Sequence, residues 1–330
     1  MNTKDELIDG AVLYLRIYLL GMPALGLYNF GNAVLSAAGD TKRPLYYLAF
    51  AGVVNVILNL FFVIVCHLGV AGVALASMIS QFISAFLILR ALLTGKEKYC
   101  LRLSEIRFDK RKAVGILQIG IPSAFQYSLF AFANLFVQSS VNSFDHVLVE
   151  GNSAAANADP LVYDMMAAFY TACSSFIAQN FGARKKKRIL QTYLICLFYS
   201  FITSLVLGVG IYLARYPFLY LFTSDKTVVE AGITRLSIMA LSYSASAFMD
   251  ASIAASRGLG KTAVPTFVVV MGSCVFRIIW IYTIFAYFHT TQSLYILYVF
   301  SWGITAIAEN IYFFHVYRHT LTGKTESHLK

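Results

Sequence analysis

Long apolar runs alternate with short polar segments along the chain. Nine of these runs reach the roughly 20 residues that a helix needs to cross a hydrocarbon core of about 30 Å. They cover residues 11–38, 45–65, 70–93, 113–142, 160–179, 189–212, 230–256, 264–288 and 294–317. The strands of a membrane barrel would be about 10 residues long and would alternate in polarity, which these runs do not. The pattern predicts an all-α integral membrane protein with about nine transmembrane helices.

A polar turn between the first two runs recurs once, later in the chain. The turn AAGDTKRP places Gly39 and Pro44 between two apolar runs, and Gly260 and Pro265 stand in the same order between the seventh and eighth runs. Glycine suits a tight turn, and proline fits the first turn of the helix that follows. The repeated turn predicts a duplicated membrane bundle in which the first three helices echo the last three.

The repeat also predicts two lobes of unequal completeness. Gln81 on the third run matches Glu309 on the ninth, whereas the fourth to sixth runs have no counterpart upstream. We interpret residues 1–95 as the last three helices of an N-terminal lobe, 96–112 as a cytoplasmic linker between the lobes, and 113–330 as a six-helix C-terminal lobe. On this interpretation the first lobe lacks its opening three helices.

Composition and charge fit a membrane protein. With 58% hydrophobic and 13% charged residues and a mean hydropathy of +0.68, the chain has too few charges to coat a soluble globule. Most of its 26 Lys and Arg residues lie in alternate loops, including the RKKKR run at 184–188. The positive-inside rule explains this distribution better than a nucleic-acid or lipid-headgroup patch does. We expect no nucleic-acid partner and a multi-pass protein of a bacterial inner membrane, with its N-terminus outside and its C-terminus in the cytoplasm.

Three carboxylates lie within the predicted spans, where a charge is costly: Asp164, Asp250 and Glu309. A carboxylate at this depth can bind sodium with backbone and amide oxygens, or take up a proton. All three are therefore ion-coupling candidates, and Asp250 is a candidate Na⁺ ligand. The alternatives are structural. Asp250 could pair with Arg277 or Arg257, Asp164 could lie near the outer interface, and Glu309 could make a polar contact between helices.

Amide and aromatic side chains provide candidates for lining a cavity. Gln126, Asn134, Gln138 and Asn142 recur at helical spacing on the fourth run and form a stripe on one face. In a membrane such a stripe faces either protein or a water-filled cavity. Tyrosine rings can stack on an organic cation, and Arg277 either pairs with an acid or lines the cavity. The cavity and substrate candidates are Gln126, Asn134, Gln138, Tyr127, Tyr163, Tyr243 and Arg277.

Other chemistry is sparse. The five cysteines are scattered without metal-ligand spacing, and we interpret them as buried thiols. The chain has no phosphate-binding loop, HExxH motif or Ser/His/Asp arrangement, so we expect a protein that is not an enzyme and that needs no cofactor beyond Na⁺ or H⁺ as a coupling ion. The polar segment after the fourth run is predicted to be an exposed loop; its acids are Asp145, Glu150 and Asp159.

In this order and spacing, a set of short motifs resembles the multidrug and toxic compound extrusion (MATE) transporters. The motifs are Tyr14-Leu-Arg-Ile-Tyr, Gly21-Met-Pro, the AAGDTKRP turn, Asn55 with Asn59, Gly120-Ile-Pro, Ala178-Gln-Asn-Phe-Gly-Ala, and Arg257-Gly before Lys261. The resemblance covers essentially the whole chain, from the family's loop between its third and fourth helices to its twelfth helix.

The resemblance implies a two-lobe antiporter that uses a Na⁺ or H⁺ gradient to export organic drugs by alternating access. The substrates it implies are small organic cations, and we expect a monomer in the lipid bilayer. The acids that bind the coupling cation in better-known members would fall near Phe130 and Ser246, where this chain has no carboxylate. Asp250, about one turn beyond Ser246, is the candidate substitute.

Two alternatives remain at this point. One is a lipid or polyprenyl-carrier flippase of a related two-lobe fold, which a wide arginine-rich groove would favour. The other is an inactive truncated fragment or a partner subunit, since a first lobe without three of its helices would expose polar faces to lipid.

Overall fold

The computed structural model describes residues 5–95 and 100–320. Its helices are α1 (Asp5–Leu20), α2 (Met22–Ala37), α3 (Lys42–Leu60), α4 (Gly69–Thr94), α5 (Lys110–Val141), α6 (His146–Ala156), α7 (Ala158–Gly182), α8 (Lys186–Leu213), α9 (Arg215–Tyr220), α10 (Lys226–Gly258), α11 (Ala263–Val269), α12 (Phe276–Trp280), α13 (Ala286–Phe288) and α14 (Thr291–Thr320). Short π-helical turns occupy Phe61–Val65, Val270–Val275 and Ile281–Phe285, and a 3₁₀ turn occupies Leu103–Glu105.

Within the described residues, eight helical segments are long and apolar enough to cross a membrane. A ninth span forms if α1 and α2, which meet at a 45° bend, are counted together. The predicted all-α membrane fold with about nine transmembrane helices is therefore confirmed. The chain divides into two compact units between Phe108 and Asp109, inside the stretch 96–112 that was predicted to be a linker. The basic residues Lys4, Lys96, Lys98, Lys324 and Lys330 in the charge pattern lie outside the described residues.

In the first unit, α4 packs against α1, α2 and α3. The bend between α1 and α2 interrupts the predicted continuous run 11–38 at Gly21. Pro23 is one cause, because it has no N–H to donate to the preceding turn. Gly21 also allows a close approach to α4, because a Cβ there would lie 2.0 Å from Oε1 of Gln81. The hydropathy of the run could not reveal this contact.

The second unit is built around α10, which packs against α6, α7, α8 and α14. Small residues bring the backbones close together, as is usual between membrane helices. A Cβ on Gly208 of α8 would lie 1.9 Å from the carbonyl oxygen of Ala240, and one on Gly151 of α6 would lie 2.7 Å from the backbone nitrogen of Gly232. These approaches bury most of α10, so polar groups on it must find partners inside the unit.

The predicted loop after the fourth run is wrong, because the segment is mostly helical. Helix α6 begins at His146, after Asp145 caps it by accepting a hydrogen bond from the Leu148 N–H at 2.9 Å. Helix α7 follows almost directly and includes Asp159 in its first turn. The segment was interpreted as a loop because its composition is mixed, but its alanine-rich second half is suited to a helix.

The repeated turn has the same backbone geometry in both units. Gly39 and Gly260 adopt positive φ angles of 92° and 76°. The N–H after each glycine bonds back into the preceding helix, from Asp40 to Leu35 O at 2.9 Å and from Lys261 to Ser256 O at 3.0 Å. These bonds satisfy carbonyls that the end of a helix leaves without partners. The predicted duplication of this turn is confirmed.

Candidate functional site

A polar network surrounds Arg235 on α10. One guanidinium nitrogen donates to Asn152 Oδ1 at 2.7 Å, and another donates to Asp159 Oδ2 at 2.5 Å. The Tyr243 hydroxyl donates to the other oxygen of Asp159, and the Tyr295 hydroxyl donates to Asn152 Oδ1 at 3.1 Å. The network ties α6, α7, α10 and α14 together. Arg235 and Asp159 balance each other's charge, although the Nε of Arg235 has no hydrogen-bond partner.

Sequence reasoning missed the partner of Arg235. Asp159 lies 76 positions away and was assigned to a loop, so no local pattern joined the two residues. One signal was present. An arginine inside a membrane span is expensive and requires an acid or several acceptors close by.

Arg277 on α12 is buried, with 1% of its surface exposed, and its surroundings differ from those of Arg235. Its Nη1 donates to Asn134 Oδ1 at 3.0 Å and its Nε to Ser301 Oγ at 3.4 Å. The guanidinium carbon lies 4.8 Å from the ring centre of Phe130 and 4.5 Å from that of Tyr298. Its Nη2 has no hydrogen-bond partner.

No carboxylate forms an ion pair with Arg277 in the described part of the chain. Burying an ion costs several kcal/mol even after the protein relaxes. Each of the two aromatic faces can return about 2 kcal/mol or more when desolvated. Neither ring supplies a full negative charge, and the acceptors that Arg277 reaches are neutral. The charge of Arg277 is therefore incompletely compensated.

The third arginine, Arg257, lies near the end of α10. Its Nη1 donates to the Tyr170 hydroxyl at 2.6 Å and its Nη2 to Gln126 Oε1 at 2.9 Å. Asp250 lies two helical turns before Arg257 on the same helix. No ion pair joins Asp250 to either arginine proposed for it, in the residues that the structure describes. Glu309 likewise forms no ion pair within those residues.

The two acids differ in burial. Glu309 on α14 has no exposed surface, and neither of its carboxylate oxygens has a hydrogen-bond partner. Asp250 on α10 is half-buried and makes no hydrogen bond to another described residue. Within residues 5–95 and 100–320 no three His, Cys, Asp or Glu side chains are grouped closely enough to hold a metal ion. A sodium ion at Asp250 would therefore need backbone, amide or hydroxyl oxygens as its other ligands.

The amide stripe of α5 divides among different partners. Gln126 accepts from Arg257, Asn134 accepts from Arg277, and the Gln138 amide donates to Asn142 Oδ1 at 3.0 Å. Two of the amides thus satisfy arginines on other helices. The third is satisfied within its own helix.

The remaining candidates are three tyrosines and one acid: Tyr127, Tyr163, Tyr243 and Asp164. Tyr163 packs edge-on against Tyr243, with ring centres 5.5 Å apart, and against Trp302 at 6.2 Å. Tyr243 is fully buried, whereas Tyr127 is exposed. Asp164 is exposed on α7 and has no hydrogen bond or ion pair within the described residues. The structure brings Tyr163 and Tyr243 together and leaves Tyr127 and Asp164 outside this cluster.

The positions where the MATE resemblance places acids carry no negative charge. Phe130 lies beneath the guanidinium of Arg277. Ser246 is buried and donates to the Tyr243 carbonyl of its own helix at 2.9 Å. The guanidinium of Arg277 therefore places a positive charge beside Phe130.

Comparison with known proteins identifies relatives along much of the chain. The chain is 33% identical over 190 residues to the probable multidrug resistance protein YpnP of Bacillus subtilis, a match that covers 57% of this chain and 42% of YpnP. It is 27% identical over 252 residues to the probable multidrug resistance protein YoeA of the same organism, covering 74% of this chain and 54% of YoeA. The chain thus spans about half the length of these curated relatives.

The fold has been seen in a solved structure. A multidrug resistance MATE family transporter in an outward-facing conformation superposes with a TM-score of 0.90, at 22% identity, over 98% of this chain and 72% of the other. At this identity the likeness establishes the fold alone. The MatE family model matches residues 1–61 and 122–283, which is more than half of the chain. The chain therefore belongs to the MatE family.

Proposed function

We propose that this protein exports small organic molecules across the membrane, driven by a Na⁺ or H⁺ gradient, by alternating access. Membership of the MatE family supports this proposal, as do relatives named as multidrug resistance proteins. These relatives also give no support to the flippase alternative. Because the chain spans about half of each relative, the activity of the whole proteins reaches this chain only as a proposal.

The observation that carries the proposal is the unpartnered carboxylate of Glu309. An ionised carboxylate buried without hydrogen bonds costs several kcal/mol. A proton or a cation bound there removes this cost, so the interior of the second unit changes charge between its loaded and empty states. Asp250, two helical turns before Arg257 on α10, is the second candidate. A bundle whose interior charge depends on a bound ion can couple that ion to a conformational change.

Ethidium efflux from drug-sensitive cells tests the proposal. We expect cells expressing this chain to expel the dye, which is an organic cation of the class that the family resemblance predicts, and to stop when the ion gradient is collapsed. Separate removal of the proton gradient and of external sodium identifies the coupling ion. If this chain is present in the membrane and expels no ethidium, the proposal that it exports this class of cation on its own is overturned.

Substitutions at the two acids test the mechanism. We expect Glu309→Gln and Asp250→Asn each to reduce gradient-driven efflux at least about tenfold. A tenfold change corresponds to the loss of about 1.4 kcal/mol of coupling free energy. Glu230→Gln makes the same chemical change at an exposed position on α10 and should leave efflux unchanged. Wild-type efflux in both acid variants would remove these residues from the mechanism.

A further inference from the structure

We propose that Arg277 is an anion-binding residue, and that its guanidinium holds an anionic group between α5, α12 and α14. The group is either a free inorganic anion or a carboxylate carried by an organic molecule. Its role in transport rests on the function proposed above, whereas binding itself does not and can be measured without transport.

The charge of Arg277 is permanent. A guanidinium does not lose its proton in a protein, so burial cannot neutralise it as burial can neutralise a carboxylic acid. Its bonded acceptors, Asn134 and Ser301, are neutral. The rings of Phe130 and Tyr298 cover two of its faces but supply no full negative charge. A negative group is what this environment lacks.

Arg235 shows an arginine in the same unit whose charge is paired with an acid, although its Nε also lacks a hydrogen-bond partner. It too is buried, reaches an asparagine and lies over a tyrosine ring, that of Tyr295 at 5.9 Å. It differs in having Asp159 at 2.5 Å. Arg277 has the asparagine and the aromatic rings but no acid, so an anion from outside the chain would fill the corresponding place.

Two further features point to a ligand. The Nη2 of Arg277, a terminal nitrogen of the guanidinium, is buried without a partner, whereas the nitrogen that lacks a partner in Arg235 and Arg257 is Nε. Arg277 also lies on a short α-helical segment between the π-helical turns Val270–Val275 and Ile281–Phe285. Such turns are rare and frequently occur at functional sites, because the extra residue redirects the side chains near it. A binding residue between two of them fits this tendency.

Tryptophan fluorescence can report an anion at this site. The chain has two tryptophans. Trp280 follows Arg277 by one helical turn. The ring of Trp302 lies 5.4 Å from that of Tyr298, which covers the guanidinium. Iodide quenches indole fluorescence on contact, so an iodide ion bound at Arg277 would quench at low concentration and then saturate.

The experiment is an iodide titration of the purified protein in detergent, with sodium fluoride holding the ionic strength constant. We expect a saturable component in the wild type that chloride or benzoate displaces. Displacement by chloride at lower concentration than benzoate identifies an inorganic anion site, and the reverse identifies a site for organic carboxylates. Linear quenching of the wild type, without saturation, would overturn the proposal.

Variants locate the site. Arg277→Gln should raise the iodide midpoint at least about tenfold, the loss expected when a charge-assisted hydrogen bond is removed. Arg215→Gln is the matched control, because Arg215 also stacks on a tyrosine, Tyr212 at 4.7 Å, but lies on α9. It should leave the midpoint unchanged.

If Arg277→Gln does not fold, Arg277→Lys tests whether Arg277 forms the iodide site. Lysine keeps the charge but offers a single ammonium in place of the planar fork, so the midpoint should rise. An unchanged midpoint in Arg277→Gln, or in Arg277→Lys where only that variant folds, would show that the saturable site lies elsewhere. Efflux plays no part in these measurements, so a failure of anion binding is distinguishable from a failure of transport.

Discussion

At the residue scale, the stability of the second unit depends on how its interior charges are paired. Arg235 and Asp159 are each less than a quarter exposed and neutralise each other across α10 and α7. A buried ion pair of this kind adds little to the stability of the fold by comparison with apolar residues of the same size. Removing one partner, however, leaves the other charge buried and uncompensated.

We therefore expect Asp159→Asn to destabilise the protein by about 3 kcal/mol, the cost of stranding a buried charge. Thermal melting of the purified protein in detergent measures the effect. Glu105→Gln is the control, because Glu105 pairs with Arg102 on the surface, where both side chains are more than 60% exposed. Exposed pairs contribute little, so its melting temperature should match the wild type. Equal melting temperatures for both variants would show that the Arg235 network is not structural.

The sequence predicted some of these residues and not their partners. It identified Asp250, Glu309 and Arg277 as candidates, because a charge inside an apolar run is unusual whatever surrounds it. It offered both Arg257 and Arg277 as partners of Asp250, and the structure shows an ion pair with neither. Partners lie on other helices, many positions away along the chain, so only the folded bundle shows which groups meet.

At the scale of helices, close approach to α10 depends on single glycines. Gly208 lies where α8 touches the backbone of Ala240, whereas Gly210, two residues later on the same helix, has open space where its Cβ would be. The two positions have nearly the same sequence context. They differ only in what lies opposite.

We expect Gly208→Ala to destabilise the protein by about 1–3 kcal/mol, because the added carbon forces α8 away from α10. Gly210→Ala should be neutral or stabilising, since alanine favours a helix more than glycine does. Melting temperatures of the two variants, measured in the same detergent, test the difference. If the two substitutions have the same effect, the close contact between α8 and α10 is not present in solution.

The repeated turns supply a second prediction at this scale. Gly39 has a φ of 92°, a conformation that costs a residue with a Cβ about 1–2 kcal/mol. Gly39→Ala should therefore lower the melting temperature, and Gly260→Ala should do the same in the second unit. Gly52→Ala is the control, because Gly52 lies within α3 with open space around its Cβ position. Tolerance of alanine at both turns would contradict the shared geometry.

At the scale of the whole molecule, the distribution of basic residues predicts the orientation in the membrane. An odd number of spans puts the two termini on opposite sides, and the positive-inside rule puts the C-terminus in the cytoplasm. We expect a C-terminal green fluorescent protein fusion to fluoresce and a C-terminal alkaline phosphatase fusion to be inactive. A fusion of phosphatase after Leu221, in the loop before α10, should be active and serves as the control. Activity of the C-terminal phosphatase fusion would reverse the predicted orientation.

The sequence by itself determined the membrane-spanning pattern, the helical class and the repeated turn. The reason is that a segment in lipid must satisfy its own backbone hydrogen bonds, so length and hydropathy within the segment decide that it is a helix. The repeated turn is likewise a local feature, because a glycine that can adopt a positive φ and the proline that follows it are recognised from neighbouring residues alone. None of these features depends on which helices become neighbours.

Tertiary structure alone decided the rest. The close approach of Gln81 to Gly21 brings distant parts of the chain together, and the pairing of Arg235 with Asp159 joins residues 76 positions apart. The contrast between a balanced Arg235 and an unbalanced Arg277 appears only when the surroundings of each guanidinium are known. The free energy of a buried charge depends on the groups within a few ångströms of it, and it is the packing of the helices that brings those groups there.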